Sequence, residues 1–333
     1  MTRRRGMRAR RLLYMGLCIA LGAPLLVGCL GASTSSPAPI EIAAPGTWTS
    51  LAPLPTPRQE VAVAALRGHI WVMGGFGAAA EPTAAAESYD PATNSWTARP
   101  LLPTPVHHAV AVAVGDRLFV LGGYTGGRVR WEPVGDVWEW NDARGTWEAR
   151  APMPTPRGAL AAAVLNGRIH ALGGAQRDPL NVHEVYDPAT NAWKTVNAMP
   201  TARDHLAAVA FRDRIWALGG RSSFLGTQYA NVEIYDPAGD SWRTGPPLPR
   251  GRGGLAAATL LDRIFVFGGE APFRIFEATE MYEPAGNRWI AMAPMPTPRH
   301  GIGAAVVGKH IYVPGGGREP GFAATAINEA YTQ

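Results

Sequence analysis

The stretch Trp147 to Gly174, WEARAPMPTPRGALAAAVLNGRIHALGG, decides the fold. It carries a Trp, an Arg ten residues later, and a Gly-Gly that begins sixteen residues after the Arg. The same Trp-to-diglycine interval starts at Trp48, Trp96, Trp193, Trp242 and Trp289 and ends at Gly74, Gly122, Gly219, Gly268 and Gly315, giving six copies of one length. They recur every 46 to 51 residues. Self-similarity at such a period signals a repeat architecture, in which each unit buries its apolar face against its neighbours.

A second landmark follows each diglycine: an aromatic residue seven positions before the next Trp. The pairs are Tyr89/Trp96, Trp140/Trp147, Tyr186/Trp193, Tyr235/Trp242 and Tyr282/Trp289. Turn sequences such as Asp90-Pro91-Ala92-Thr93-Asn94 separate them, and Pro with Asx residues presets a tight reversal. Each repeat therefore reads as a four-stranded antiparallel meander, in the first copy over roughly 60–66, 69–73, 86–90 and 95–98. First strands rich in Ala, such as Val61 to Ala65, suit sheets that converge on an axis, where only small side chains fit. Six Ala-rich helices are excluded by the adjoining Gly-Gly and Pro. The expected fold is all-β: a six-bladed propeller spanning 47–333. Trp48 lacks a preceding Tyr and Tyr331 lacks a following Trp, so the N-terminal strand should close the sixth blade.

Gly-Gly ending a strand, Tyr-Asp-Pro and the spaced Trp resemble the kelch motif over residues 48–331. The departures are Val106 for Arg and Trp140 for Tyr in the second blade, and Pro314 before the last diglycine. Pro314 removes a ladder donor, so the last blade should be the least regular. Five repeats carry the Arg (Arg58, Arg157, Arg203, Arg252, Arg299) and five carry a Glu two residues before the Tyr (Glu87, Glu184, Glu233, Glu280, Glu329). The second blade lacks both, with Val106 and Trp138 instead. Joint loss points to a structural ion pair inside each blade, since an unpaired buried charge is costly.

Residues 1–28 form a basic and then apolar leader that ends Leu26-Val27-Gly28-Cys29 and resembles a bacterial lipobox, with Cys29 as the lipidated residue. An uncleaved membrane anchor is the alternative, although the apolar run is barely long enough to span. Residues 29–46 read as a flexible tether. The expected location is the cell envelope, outside the cytoplasm and held to the membrane through lipid on Cys29. Six of the 31 basic residues lie in the leader, which leaves 25 against 26 acidic ones, so nucleic-acid binding has no electrostatic support.

Length variation falls between the diglycine and the next Tyr, with spacings of 15, 18, 13, 16, 14 and 16. Variable loops on one face of a rigid scaffold are where binding is expected. They offer Tyr124, Arg128, Trp131, Arg177, Arg221, Phe224, Tyr229, Glu270, Phe273, Arg274 and Arg318, and Arg and aromatic side chains often carry binding energy. The position two beyond the Arg forms a second ring: Glu60, His108, Ala159, His205, Gly254 and Gly301. In eukaryotic members of the kelch family this rim and the residue after the diglycine contribute to a central pocket, so the resemblance implies Glu60, His108 and His205 with Phe76, Tyr124, Arg221 and Glu270. Glu60, His108 and His205 are weak candidates for acid–base catalysis, against a reading as solvated rim residues.

Copper radical chemistry of the kind found in proteins resembling galactose oxidase needs a Cys joined to a Tyr. Cys18 and Cys29 both belong to the leader, so that chemistry is excluded. His107, His108 and His205 show no ligand-spacing motif, and no metal or other cofactor is expected. The favoured reading is a monomeric, non-catalytic module that recognises a protein or carbohydrate on one propeller face. The alternative is a sugar epimerase or mutarotase, because the chain resembles secreted six-bladed kelch proteins acting on sialic acid. Glu60, His108 or His205 would then move protons, and Arg221 or Arg318 would hold an acidic group.

Overall fold

A computed structural model describes residues 45–333 apart from Val129. The leader, Cys29 and most of the tether lie outside the described residues, and among those that are described no helix is long and apolar enough to cross a membrane. The six four-stranded sheets are all antiparallel meanders. Blade I is built from Ala62–Leu66, His69–Met73, Ala86–Asp90 and Ser95–Arg99. Blades II to V repeat this order, their inner strands being Val110–Val114, Ala161–Leu165, Ala207–Phe211 and Ala256–Leu260. Blade VI combines Ala305–Val307, His310–Pro314 and Asn328–Thr332 with the N-terminal strand Thr47–Ser50, with Trp48 opposite Tyr331. The N-terminal strand thus closes the ring.

Six apolar clusters hold the blades together, one at each junction, including that between blades VI and I. Each repeat Trp adds a fixed link. Its indole N–H donates to a carbonyl just past the outer strand of the preceding blade, from Trp96 to Ala52 and Trp147 to Pro100 round to Trp48 and Ala293. The Tyr of the repeat closes its own turn, as in Tyr89 Oη to Asn94 Oδ1 at 2.7 Å, with Asn94 at φ 50°. The diglycine is required by the neighbouring blade. Gly74 has φ 60°, and a Cβ there would sit 2.6 Å from the Val106 carbonyl oxygen. Gly75 N–H donates to that same oxygen at 2.8 Å.

The expected ion pairs form in all five blades that carry them. Arg58–Glu87 and Arg157–Glu184 are 2.5 Å, Arg299–Glu329 2.6 Å and Arg203–Glu233 3.1 Å, and Arg252 meets Glu280 in the same way. All five arginines are fully buried. In blade II, Val106 and Trp138 join the apolar cluster shared with blade I. Blade VI is the least regular, with an inner strand of three residues where the other inner strands have five. The register puts Pro314 opposite Gly303, where the missing N–H ends the ladder early. Inner strands begin near residue 62 rather than 60, because Glu60 adopts φ 54° and leaves the strand conformation.

Candidate functional site

The rim residues form a closed backbone ring. Each N–H donates to the carbonyl of its counterpart in the preceding blade: His108 to Glu60 (3.1 Å), Ala159 to His108, His205 to Ala159, Gly254 to His205, Gly301 to Gly254 (2.9 Å each) and Glu60 to Gly301 (2.8 Å). All six have positive φ, between 52° and 64°. This conformation is strained for a residue with a side chain. Glycine or alanine does the architectural work at three of the positions, so the backbone ring does not itself require the side chains of Glu60, His108 and His205.

Above this ring a cavity of about 510 Å³ opens among the variable loops. Every blade contributes at least one of two positions to its base and walls, the residue after the Arg or the residue after the diglycine: Gln59, Phe76, Tyr124, Ala175, Asp204, Arg221, Glu270 and His300. The two positions pair across each blade as Gln59/Phe76, His107/Tyr124, Gly158/Ala175, Asp204/Arg221, Gly253/Glu270 and His300/Gly317. Large side chains lean over small neighbours. A Cβ on Gly158 would strike the Tyr124 ring at 2.3 Å, and one on Gly253 would lie 3.1 Å from Arg221 Cδ.

The floor is a continuous polar chain. His205 Nδ1 lies 2.5 Å from Asp204 Oδ1, and Arg221 Nη2 lies 2.9 Å from His205 Nε2. A guanidinium has no lone pair to offer, so His205 accepts there and donates from Nδ1 to Asp204. Arg221 also donates to Glu270 Oε1 at 2.6 Å and reaches Asp204 at 3.4 Å. His300 Nδ1 stands 3.4 Å from Glu60 Oε1 and 3.5 Å from Glu270 Oε2, while its Nε2 faces the Glu319 carbonyl at 3.0 Å. Glu60 Oε2 lies 3.3 Å from His108 Nε2, and His108 Nδ1 is 2.5 Å from His107 Nδ1.

The pKa values follow from these contacts. Burial alone would raise the Glu60 carboxyl, but the surrounding His108, His300 and His205 rings hold it well below the usual carboxylate range. Burial opposes a charge on His300, yet the carboxylates of Glu60 and Glu270 outweigh it and raise its pKa. Burial pushes His108 well down and His107 to about 4. Tyr124 is pushed up by burial, and its hydroxyl donates to the Ala175 carbonyl at 2.8 Å.

Aromatic rings form the wall. Phe76 stacks on His107 at 3.8 Å between centroids and meets Phe322 edge-on at 5.1 Å, while Trp131 packs 5.4 Å from Tyr124 and 4.9 Å from His108. Phe76 and Tyr124 are buried, whereas Trp131 and Phe224 are each 38% exposed. The structure thus gathers Glu60, His108 and His205 with Phe76, Tyr124, Arg128, Trp131, Arg177, Arg221, Phe224 and Glu270 around one cavity. Tyr229, Phe273 and Arg318 do not line it. Tyr229 lies partly buried in its loop, Phe273 projects 83% exposed from a hairpin, and Arg318 is exposed. Sequence reading missed Asp204, His300, Gln59 and Phe322, which also line the cavity. Three of these sit directly after the repeat Arg, a position whose run of Gln, His, Gly, Asp, Gly and His could have revealed a second polar ring.

Six meanders around an axis define a β-propeller, and its axial site is built by the links between blades together with the loops that join second to third strands. Residues 45–199 and 149–316 match the KLHDC2/KLHL20/DRC7 Kelch-repeats domain. The chain belongs to the kelch-repeat family. It is similar to a solved structure described as "Structure of YjhT", with 18% identity over 84% of this chain and 95% of that one, at a TM-score of 0.72. At that identity the likeness concerns the fold. No curated protein matches the chain by sequence.

Proposed function

We propose that this kelch propeller is an extracytoplasmic, lipid-held protein whose axial pocket takes a single sugar-like ring and moves protons on it. The carrying observation is convergence: Glu60, His108, His205, Asp204, Arg221, Glu270 and His300 share the floor of one cavity of about 510 Å³ under an aromatic wall. That volume suits a small ligand, and aromatic faces beside carboxylates and imidazoles match the faces and hydroxyl edges of a pyranose. Opening a reducing sugar requires one group to take the proton of the anomeric hydroxyl and another to give a proton to the ring oxygen as its bond to the anomeric carbon breaks. Glu60, kept ionised, is the acceptor, and His108 beside it gives the proton; His205 cannot, because its Nε2 accepts from Arg221. Arg221 is engaged by Glu270 and Asp204 and Arg318 lies off the cavity, whereas Arg128 and Arg177 line it with no carboxylate partner among the described residues and are the groups placed to hold an acidic substituent.

The test is NMR of freshly dissolved single anomers of neutral and acidic monosaccharides with the purified chain. Interconversion above the spontaneous rate, lost in Glu60→Gln, is expected; a panel in which no sugar is accelerated or bound refutes the reading. A second reading, capture of a protein or glycan polymer on the loop face, is favoured by Phe273 and Leu225, which are 83% and 71% exposed on rim loops. A partner whose capture needs Phe273 but leaves the cavity open would select it. The envelope location rests on the leader and is tested by palmitate labelling that disappears in Cys29→Ser.

A further inference from the structure

We propose that Glu60, His108 and His205 form a binding site for one divalent transition-metal ion of the zinc class at the floor of the axial pocket. Their donor atoms lie within 4.8 Å of one another. A tetrahedral zinc site separates its ligand atoms by roughly 3.4 Å, so modest side-chain rotation closes the set. Two imidazoles and a carboxylate with an open side toward a cavity are a donor set that such ions take.

The partners behind each donor strengthen the assignment. Metal-binding histidines characteristically give their other N–H to a carboxylate or another fixed acceptor, which orients the ring. His205 donates Nδ1–H to Asp204 and turns Nε2 toward the pocket. His108 and His107 bring their Nδ1 atoms to 2.5 Å, so one of them holds the shared proton. With that proton on His108, its Nε2 lone pair faces Glu60 Oε2 at 3.3 Å, two acceptors that a cation between them satisfies. Glu60 is steadied through its other oxygen by His300. The three donors project from the cyclic backbone ring, at positions where glycine or alanine serves the other blades.

Arg221 now donates to His205 Nε2 and must yield that contact to an ion. It can do so while keeping Glu270 at 2.6 Å and Asp204 at 3.4 Å. Asp204 and Glu270 flank this guanidinium and Glu60 faces His108 and His300 instead, so the floor sets three buried or nearly buried carboxylates against one guanidinium and has negative charge to offer a second cation. Sequence spacing conceals the set because the donors come from three blades.

This inference concerns the same pocket but does not depend on which ligand the pocket takes. The full chain, stripped with a chelator, is titrated with zinc chloride by calorimetry and with cobalt chloride by visible absorption, without any sugar. One ion per chain and the absorption of a four-coordinate cobalt centre are expected. His205→Gln should abolish the cobalt spectrum, and Asp204→Asn should weaken zinc binding by about 10- to 100-fold. Leu101→Ala, at an exposed position outside the pocket, should leave ion binding unchanged. Absence of stoichiometric binding by the unsubstituted chain overturns the proposal, as does binding that survives in both pocket variants. Ion binding without action on any sugar would instead overturn the proposed function alone.

Discussion

Replacing Glu184 by Leu removes the carboxylate at nearly constant volume and leaves Arg157 fully buried, with backbone carbonyls as its remaining partners. Arg157 Nη1 lies 2.5 Å from Glu184 Oε2, and Thr155 Oγ1 donates to Glu184 Oε1 at 2.7 Å, so both donors lose an acceptor. The Thr155 and Ala171 carbonyls, at 2.8 and 3.2 Å, cannot neutralise the guanidinium. Stranding one member of a buried pair costs roughly 3 to 5 kcal/mol. For a domain of this size that corresponds to a fall in melting temperature of roughly 5 to 8 °C. Blade II shows how nature fills the same space without charge, with Val106 and Trp138. The double variant Arg157→Val with Glu184→Trp should therefore recover more than half of the loss. Urea and thermal unfolding of Arg157→Val, Glu184→Trp and the double variant give the coupling directly. A cost below about 1 kcal/mol for Glu184→Leu, the value of a surface pair, would refute the reasoning, and so would a double variant as unstable as the sum of the singles.

Acid should weaken the junction of blades III and IV. His170 Nδ1 and His183 Nε2 share one hydrogen bond at 2.9 Å, and burial pushes their pKa values down to about 4 and about 3. Both are depressed from 6.5, so the unfolded chain takes up protons first, and stability falls as pH drops from about 6.5 toward 3; His170 alone contributes roughly 3 kcal/mol of this loss. Urea midpoints between pH 7 and pH 4 should flatten when His170→Phe and His183→Val install the residues blade II uses. Removing residues 1–50 should expose the Asn328–Thr332 edge and give concentration-dependent oligomers by size-exclusion chromatography. Gly158→Ala should displace the Tyr124 ring, break its bond to Ala175 and reduce ligand binding more than stability, measured by titration beside thermal melts.

The fold was legible because its determinants recur. One Trp-to-diglycine interval repeated six times fixes blade count, strand order and closure, and the joint absence of Arg and Glu from the second repeat exposed a contact that no single repeat could show. The exact start of each inner strand was not legible. A positive φ at Glu60, His108 and His205 arises from the hydrogen bonds that join successive blades around the axis, and such closure has no local sequence signature in residues other than glycine.

The site was half legible for a related reason. Rim and post-diglycine positions could be aligned between repeats, and these are the ones that converge. Asp204 and His300 escaped because each lies beside a conspicuous Arg that draws attention to itself, and because their roles appear only across blades. Asp204 sets the proton on its neighbour His205, whereas His300 reaches Glu60 from the far side of the ring closure. The two losses have opposite physical consequences. Asp204→Asn leaves Arg221 with Glu270 and replaces the acceptor-only carboxylate by an amide that can accept from or donate to Nδ1, so the His205 tautomer is no longer fixed by a charge; it should alter the pH dependence of any activity with little change in fold. His300→Phe leaves Glu60 and Glu270 without the ring between them, two buried carboxylates a few ångströms apart, and should raise the pH at which Glu60 gains a proton. Nitrogen NMR of the histidines in the two variants separates these outcomes, and identical spectra for His205 before and after Asp204→Asn would break the link between the second polar ring and the floor it is argued to organise.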